Sequence, residues 1–180
     1  MSRFAQLTRL SLFAAAATLA TGCDMNFVPD LADSAGGESV LLTVTLGSNA
    51  ATDLASDVEA VEVRVVDVLV HRADSDEWLI LNEKVATVAL GHEASEHEFT
   101  DVPLPVGTYD RVFVAMEQAR VGSADGWQRA ELVQTEVEIP ASLLIGFDGK
   151  LEINFDLDGS VSGSYEAGWK MNPQLVLEME

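Results

Sequence analysis

The chain has 180 residues and is strongly acidic, with 30 Asp and Glu against 10 Lys and Arg and a formal charge of -20 at pH 7. Such a charge repels phosphate backbones and anionic headgroups, which argues against a nucleic acid partner and against adsorption to a membrane through surface charge. With a single cysteine the chain can form no internal disulfide, so core burial must stabilise the fold.

The first 22 residues have the pattern of a secretory signal. Arg3 and Arg9 accompany an uncharged, largely apolar run over residues 10–20, and small residues follow. A membrane-spanning helix needs about 20 apolar residues, and this run has roughly half that number, so the pattern favours cleavage over permanent insertion. We predict a signal peptide over residues 1–22; a buried N-terminal helix is the alternative.

The signal ends in Ala20-Thr21-Gly22-Cys23, which resembles the bacterial lipobox. The resemblance implies that the Cys23 thiol is lipidated and that the chain is cut before it, giving a membrane-anchored lipoprotein on the periplasmic or surface face of the cell envelope. Two or more acyl chains hold a protein on a bilayer, since each buried CH2 contributes about 0.8 kcal/mol. A plain signal peptide with a chance cysteine is the alternative. Asp24 resembles an inner-membrane retention signal, but that rule varies between bacterial groups and leaves the choice of membrane open.

Residues 23–38 are predicted to be a flexible tether, because they lack a hydrophobic period and contain Pro29, Gly36 and Gly37. As a coil this segment would span about 20 Å. Removing residues 1–22 takes away two arginines and no acid, so 30 acidic and 8 basic residues remain, a charge of -22. Residues 39–180 have the length of one domain with its own core.

The domain opens with two strands of period two. In residues 40–46 the apolar residues at even positions alternate with Leu41, Thr43 and Thr45, and a polar loop over 47–57 precedes the strongest strand, 58–71. Within that strand the alternating valines occupy odd-numbered positions up to Val65 and even-numbered positions from Val66 onwards. A strand absorbs an extra residue only by a bulge, so we predict a β-bulge or bend near Val65 and Val66. A strand buried on both faces is the alternative.

A hairpin turn is predicted at residues 73–76, leading to a short strand at 78–81 in which Trp78 is expected to lie in the core. Weaker strands are predicted at 85–90 and 98–102. Between them, His92 and His97 invite a zinc interpretation. They are five positions apart, whereas the helical zinc motif needs four, so a solvated loop is the favoured interpretation.

The run Pro103-Leu104-Pro105-Val106-Gly107-Thr108-Tyr109 predicts a turn with a glycine that can adopt positive φ, followed by a strand over 109–121. This turn resembles the Gly-Thr-Tyr turn of prealbumin-like sandwiches. Together with VEAVEVRVVDVLVHRADSDEWLIL, INFDLDGSV and KMNPQLVLEM, it makes residues 39–180 similar to the DUF4382 family of exported bacterial and archaeal domains. These motifs specify strands and turns, so the resemblance implies a β-sandwich and carries little about function. The loop 49–57 replaces the Asp-Ala-Pro type of turn expected in the family.

The remaining pattern continues in short strands separated by turns. We expect a hairpin over residues 122–126, strands over 127–133 and 136–139, one helical turn over 141–145, strands over 151–157 and 174–180, and a Gly/Ser segment over 159–164. Pro140 should interrupt the ladder because it lacks a donor. Strands at this spacing without a long helical period predict an all-β domain, an antiparallel β-sandwich of roughly seven to nine strands.

No phosphate-binding loop, nucleophile elbow, zinc helix or EF-hand loop occurs in the sequence, so we expect a non-catalytic protein without a cofactor. The expected role is that of a lipid-anchored structural, adhesive or ligand-binding module. Its partners would be the membrane, through Cys23, and a protein or glycan. One alternative is a hydrolase of envelope polysaccharide that uses surface carboxylates. Another is a calcium-dependent binding module, for which the candidate ligands are loop carboxylates: Asp53, Asp57, Asp156 and Asp158.

Overall fold

A computed structural model of the protein describes residues 38–49, 54, 57–82, 84–91 and 95–180. In these ranges the chain forms twelve strands and one helix of four residues. In chain order they are β1 (Ser39–Ser48), β2 (Ala60–Arg72), β3 (Glu77–Ile80), β4 (Ala86–Gly91), β5 (Ser95–Pro105), β6 (Gly107–Ser123), β7 (Gly126–Leu132), β8 (Glu136–Ile145), β9 (Gly149–Phe155), α1 (Leu157–Ser160), β10 (Val161–Ser164), β11 (Gly168–Met171) and β12 (Leu175–Met179). The all-β class is confirmed, and the strands outnumber the seven to nine predicted.

The strands form two sheets. One has four strands in the order β12-β9-β1-β5, and the other has eight, in the order β10-β11-β7-β6-β2-β3, with β4 on β2 and β8 on β6. The expectation of purely antiparallel sheets was wrong, because β1 pairs with β9 and β11 with β7 in parallel. Apolar alternation specifies which face of a strand is buried and carries no information about the direction of its neighbour.

Side chains from both sheets form one hydrophobic cluster, which is the interior of the sandwich. From the four-stranded sheet it includes Leu46 and Ile153, and from the eight-stranded sheet Val63 and Val114, all with 0% exposure. Because the two sheets bury their apolar faces against each other, each has an outer face that carries its polar residues.

The predicted bulge in β2 is confirmed. The register between β2 and β6 shifts on both sides of Val65, and Val66 has no partner on β6. Val61, Val63 and Val65 are buried before the shift, and Val68 and Val70 after it. The extra residue therefore returns the apolar set to the interior face, as the phase slip in the sequence required.

The Asn82 side chain fills the gap that this bulge leaves at the edge of β2. Its Oδ1 accepts a hydrogen bond from the Val68 amide at 2.6 Å, and its Nδ2 donates to the carbonyls of Val66 and Lys84 at 3.0 and 3.1 Å. Asn82 is only 5% exposed. Backbone groups without a partner strand are thus paired by an amide, which carries both a donor and an acceptor.

At the level of the bulge, both central strands of the large sheet exchange outer neighbours. β2 pairs with β4 over Ala60–Val65 and with β3 over Leu69–Arg72. β6 likewise pairs with β8 up to Ala115 and with β7 from Ala119 onwards. We call the part with β3 and β8 the proximal half and the part with β4 and β7 the distal half.

The chain enters the domain at the proximal half. Ser39 pairs with Pro105, and the Val106 amide donates to the Glu38 carbonyl at 2.8 Å. Gly107, in the predicted turn, does not adopt positive φ. Its lack of a side chain makes room for Arg72, because a Cβ there would lie 3.1 Å from the guanidinium Nε.

Two further predictions were wrong. Residues 141–145 form no helical turn, because β8 continues through Pro140 to Ile145. The register between β6 and β8 shifts next to Pro140, and a bulge on a strand with a free edge tolerates a residue without an amide donor. The Gly/Ser segment over 159–164 contains the end of α1 and all of β10, whose four residues are too few to show a period.

Asn82→Ala is expected to lower the free energy of unfolding by about 3 kcal/mol, because buried backbone groups of β2 lose their hydrogen-bond partners. Urea denaturation followed by circular dichroism measures the change. Asn49→Ala, at an exposed position after β1, is the matched control and should lie within about 0.5 kcal/mol of the wild type. Equal stability of the two variants would contradict the role assigned to Asn82.

Alkaline pH is expected to destabilise the domain through Tyr109. This ring is buried, its hydroxyl donates to the Pro105 carbonyl at 2.6 Å, and burial raises the pKa of Tyr109 above its ordinary value of 10.0. Above that pH the unfolded state loses the proton first, so stability falls as pH rises towards the folded pKa. Tyr109→Phe should remove part of this slope in urea denaturation at pH 9 to 11. Tyr165→Phe, which keeps Tyr109, should retain it.

Candidate functional site

The predicted calcium ligands do not come together in the described residues. Asp57 is exposed in the turn before β2, Asp156 precedes α1, and Asp158 lies within that helix. Asp53 and Cys23 lie outside the described residues. Within the described ranges, no group of three or more His, Cys, Asp or Glu side chains is placed to hold a metal ion.

The histidine pair also gives no metal site in the described part of the chain, since His92 lies outside it and His97 packs edge-to-face on Phe99 at 5.0 Å. Trp78 is not in the core as predicted. It pairs with His71 on the outer face of the proximal half and is partly exposed there. The next residue, Leu79, is the one that faces the interior.

A polar network surrounds His71 on this outer face. The ring is 3% exposed, with Nδ1 at 2.6 Å from Asp110 Oδ1 and Nε2 at 3.0 Å from Asp76 Oδ1. The Arg111 Nη2 atom lies 2.8 and 2.9 Å from the two ring nitrogens. The network therefore joins β6 to β2 and to the β2–β3 turn, across 39 and 40 positions of the sequence.

Aromatic packing completes this network. The Trp78 ring lies 4.9 Å from His71 and 6.1 Å from Phe113, and the Arg111 guanidinium lies 5.2 Å from its centroid. A cation over an indole face is attracted by the ring quadrupole. The hydrogen bond with His71, aided by Arg111, lowers the pKa of Asp110. These contacts join β2, β3 and β6 on the outer face of the proximal half.

A second surface lies on the outer face of the distal half, centred on Trp127. Three atoms of its ring lie 3.1, 3.1 and 3.2 Å from the position that a Cβ would occupy on Gly122, its cross-strand partner. Such nearly equal distances mean that the indole lies face-on over Gly122. Trp127 is nevertheless 46% exposed, so part of this residue is in contact with solvent.

Two arginines flank this ring. Arg120 and Arg129 are direct cross-strand partners, and the Arg120 guanidinium lies 5.1 Å from the Trp127 centroid. Arg120 Nη1 also lies 3.4 Å from Glu62 Oε2. Arg129 is exposed and forms no ion pair with any residue that the structure describes. We call Trp127, Arg120 and Arg129 the distal surface.

Three carboxylates near the distal surface each lie close to a cation. Arg64 Nε lies 2.5 Å from Glu117 Oε1, and Lys170 Nζ lies 3.6 Å from Glu131 Oε2. Glu62 is likewise paired with Arg120, so each of these three carboxylates forms an ion pair with a different cation. Arg129 is a cation of this face that forms no ion pair with a described residue. Four of the eight basic residues that follow the predicted signal thus lie on one face of the domain, in a chain with 30 acidic residues.

A groove of about 500 Å³ adjoins Arg129. It opens where β6 exchanges β8 for β7, because the edge of β6 has no neighbouring strand there. Gln118 and Thr135 contribute polar groups to its wall, Leu132 contributes apolar surface, and Glu117 and Glu131 also line it. The equivalent gap on β2 is filled by Asn82, whereas on β6 the Met116 amide donates to the Thr135 carbonyl at 2.7 Å and the groove lies beside this contact.

Comparison with known proteins adds no relative: no family model, curated protein or solved structure matches the chain. Similarity to DUF4382 therefore stays a prediction from the strand and turn motifs. No helix among the described residues has the length and apolar character needed to cross a membrane.

Sequence reasoning missed both surfaces. His71 and Arg111 are 40 positions apart, and only the register of β2 against β6 brings them together. The distal surface had a weak local signal, since Trp127 and Arg129 alternate on β7 next to an Asp-Gly turn that fixes the hairpin. Its partner Arg120 could have been placed by counting back across that turn.

Asp110→Asn is expected to flatten the acid side of the stability profile. Because the folded pKa of Asp110 is lowered, the stabilisation is present above the unfolded value near 4 and is lost as pH falls through the folded pKa. Urea denaturation between pH 2 and 6 tests this. Asp125→Asn, in the exposed β6–β7 turn, is the control and should keep the wild-type slope; identical profiles for both variants would contradict the network.

Proposed function

We propose that this protein is a lipid-anchored, non-catalytic binding module of the cell envelope. Cys23 would hold it on the membrane, residues 24–38 would form the tether, and the β-sandwich would present the distal surface. The observation that carries the proposal is the position of the two ends of the domain. The chain enters at Ser39 in the proximal half, while Arg120 lies roughly 40 Å further along the central strands.

The charge of the domain supports anchoring by lipid. Without the signal the chain carries -22, from 30 acidic and 8 basic residues, so its surface is repelled by anionic headgroups. Acyl chains on Cys23 would overcome that repulsion through burial in the bilayer, and the same repulsion would keep the acidic domain away from the membrane surface. The distal surface would then be accessible to partners in the surrounding compartment.

A polysaccharide hydrolase is a second candidate because Glu117 and Glu131 line one groove beside an exposed tryptophan. A glycosidase needs one carboxyl group as a proton donor and a second carboxylate across the scissile bond. Here each carboxylate is paired with a cation, Glu117 with Arg64 and Glu131 with Lys170, so neither is an unpaired side chain in the groove. Incubation with envelope polysaccharide should release no reducing ends; release that disappears in Glu117→Gln would favour the hydrolase.

Cys23→Ser is expected to abolish membrane attachment. In a bacterial host with the lipoprotein pathway, the wild-type protein should partition into the detergent phase and its N-terminal peptide should carry a diacylglyceryl and an acyl mass on Cys23. The variant should be aqueous and unmodified, with an unchanged circular dichroism spectrum. An exported wild-type protein with a free Cys23 thiol would overturn the anchoring half of the proposal.

A further inference from the structure

We propose that the distal surface binds a saccharide that carries a uronate carboxylate, with a sugar ring on Trp127 and the carboxylate on Arg129. This inference rests on the proposed role as a binding module and adds the chemical class of the ligand. It does not depend on whether Cys23 is lipidated, since binding can be measured on the protein in solution or in micelles.

The Trp127 indole supplies a flat platform. One face covers Gly122, the Arg120 guanidinium lies over the ring at 5.1 Å from its centroid, and Trp127 remains 46% exposed. A pyranose ring has an apolar face of C–H groups that packs on an aromatic ring, whose large apolar surface is otherwise in contact with water. Because the strand pair fixes the ring over a glycine, little side-chain entropy is lost on binding.

Arg129 supplies the charge. It is exposed next to Trp127 on the same face of β7, and it forms no ion pair within the described ranges. A guanidinium binds a carboxylate through two parallel N–H donors, which is a strong and oriented contact. The neighbouring carboxylates Glu117 and Glu131 are already held by Arg64 and Lys170, so they compete less for Arg129.

The arrangement of the arginines points to a ligand. Like charges placed directly opposite each other in an antiparallel pair are destabilising, yet Arg120 and Arg129 occupy such a pair. Glu62 and the Trp127 ring offset the charge of Arg120, whereas Arg129 forms no ion pair within the described ranges, although Glu117 and Glu131 line the same groove. A bound carboxylate would relieve this repulsion.

A saccharide fits this surface better than an acidic peptide. The domain as a whole is strongly negative, so a ligand with dense negative charge is repelled, and the site has one surplus cation. A uronate saccharide with one carboxylate per two sugars matches that single cation. The adjacent groove of about 500 Å³, lined by Gln118 and Thr135, has room and hydrogen-bonding groups for the next sugar.

The test uses the full mature protein in detergent micelles and a hyaluronan hexasaccharide, in which glucuronate alternates with N-acetylglucosamine. Isothermal titration calorimetry at 50 mM salt measures the Kd, and tryptophan fluorescence reports on Trp127. The comparison ligands are an N-acetylglucosamine hexamer, which lacks carboxylates, and a peptide of alternating Gly and Glu with the same number of carboxylates.

Arg129→Gln should weaken hexasaccharide binding about tenfold or more, the loss expected for one charge-assisted hydrogen-bonded pair. Trp127→Ala should weaken it about fivefold and remove the fluorescence change. Lys84→Gln removes one positive charge from an exposed position outside the distal surface and should leave the Kd unchanged. Trp127→Phe keeps a ring over Gly122 and separates loss of the platform from loss of the fold, which thermal unfolding checks.

Binding of the hexasaccharide but not of the neutral hexamer or the peptide, with the stated dependence on Arg129 and Trp127, would support the inference. No binding at 1 mM, equal binding of the peptide, or equal losses in Arg129→Gln and Lys84→Gln would each overturn it. These failures would leave lipid attachment at Cys23 untouched, because that is read separately from the mass of the N-terminal peptide.

Discussion

The domain depends on how its two longest strands stay paired through an irregularity. β2 and β6 form the middle of the large sheet, and both interrupt their regular pairing near Val66 and Glu117. Each interruption keeps the valines facing the interior, and each changes the neighbour on the outer edge. This interruption of the β2–β6 pairing divides the sheet into two halves. It also accounts for the Asn82 amide at the edge of β2 and for the groove at the edge of β6.

The two halves carry different outer faces for a physical reason. The chain enters at the proximal half, where His71 and its neighbours make short contacts among buried and half-buried groups. The polar atoms of these side chains are therefore already paired with one another. In the distal half the ion pairs are exposed, and such pairs contribute little to stability. Side chains of the distal half can therefore exchange their ion-pair partners at little cost to the stability of the fold.

Much of the fold could be predicted because burial imposes a period on the sequence. The change in alternation after Val65 predicted the bulge, and the Asp125-Gly126 pair predicted the β6–β7 hairpin. The alternation of apolar and polar residues predicted most strand positions. Strand direction could not be predicted, since a parallel neighbour such as β9 on β1 leaves no local mark. Pro140 was wrongly predicted to interrupt its strand, because the effect of a proline depends on whether the strand has a free edge. The side chains of both surfaces come from separate strands, so only the pairing register could place them.

The parallel pairing of β1 with β9 also constrains the order of events when the chain folds. Leu41 donates its amide to Asp148, 107 positions further along, and β1 lies between β9 and β5 in its sheet. A chain that emerges amino end first presents this apolar strand long before its parallel neighbour exists, and closing so large a loop is slow. The small sheet is therefore completed only when almost the whole chain has emerged, because β9 and β12 are among the last strands in the sequence.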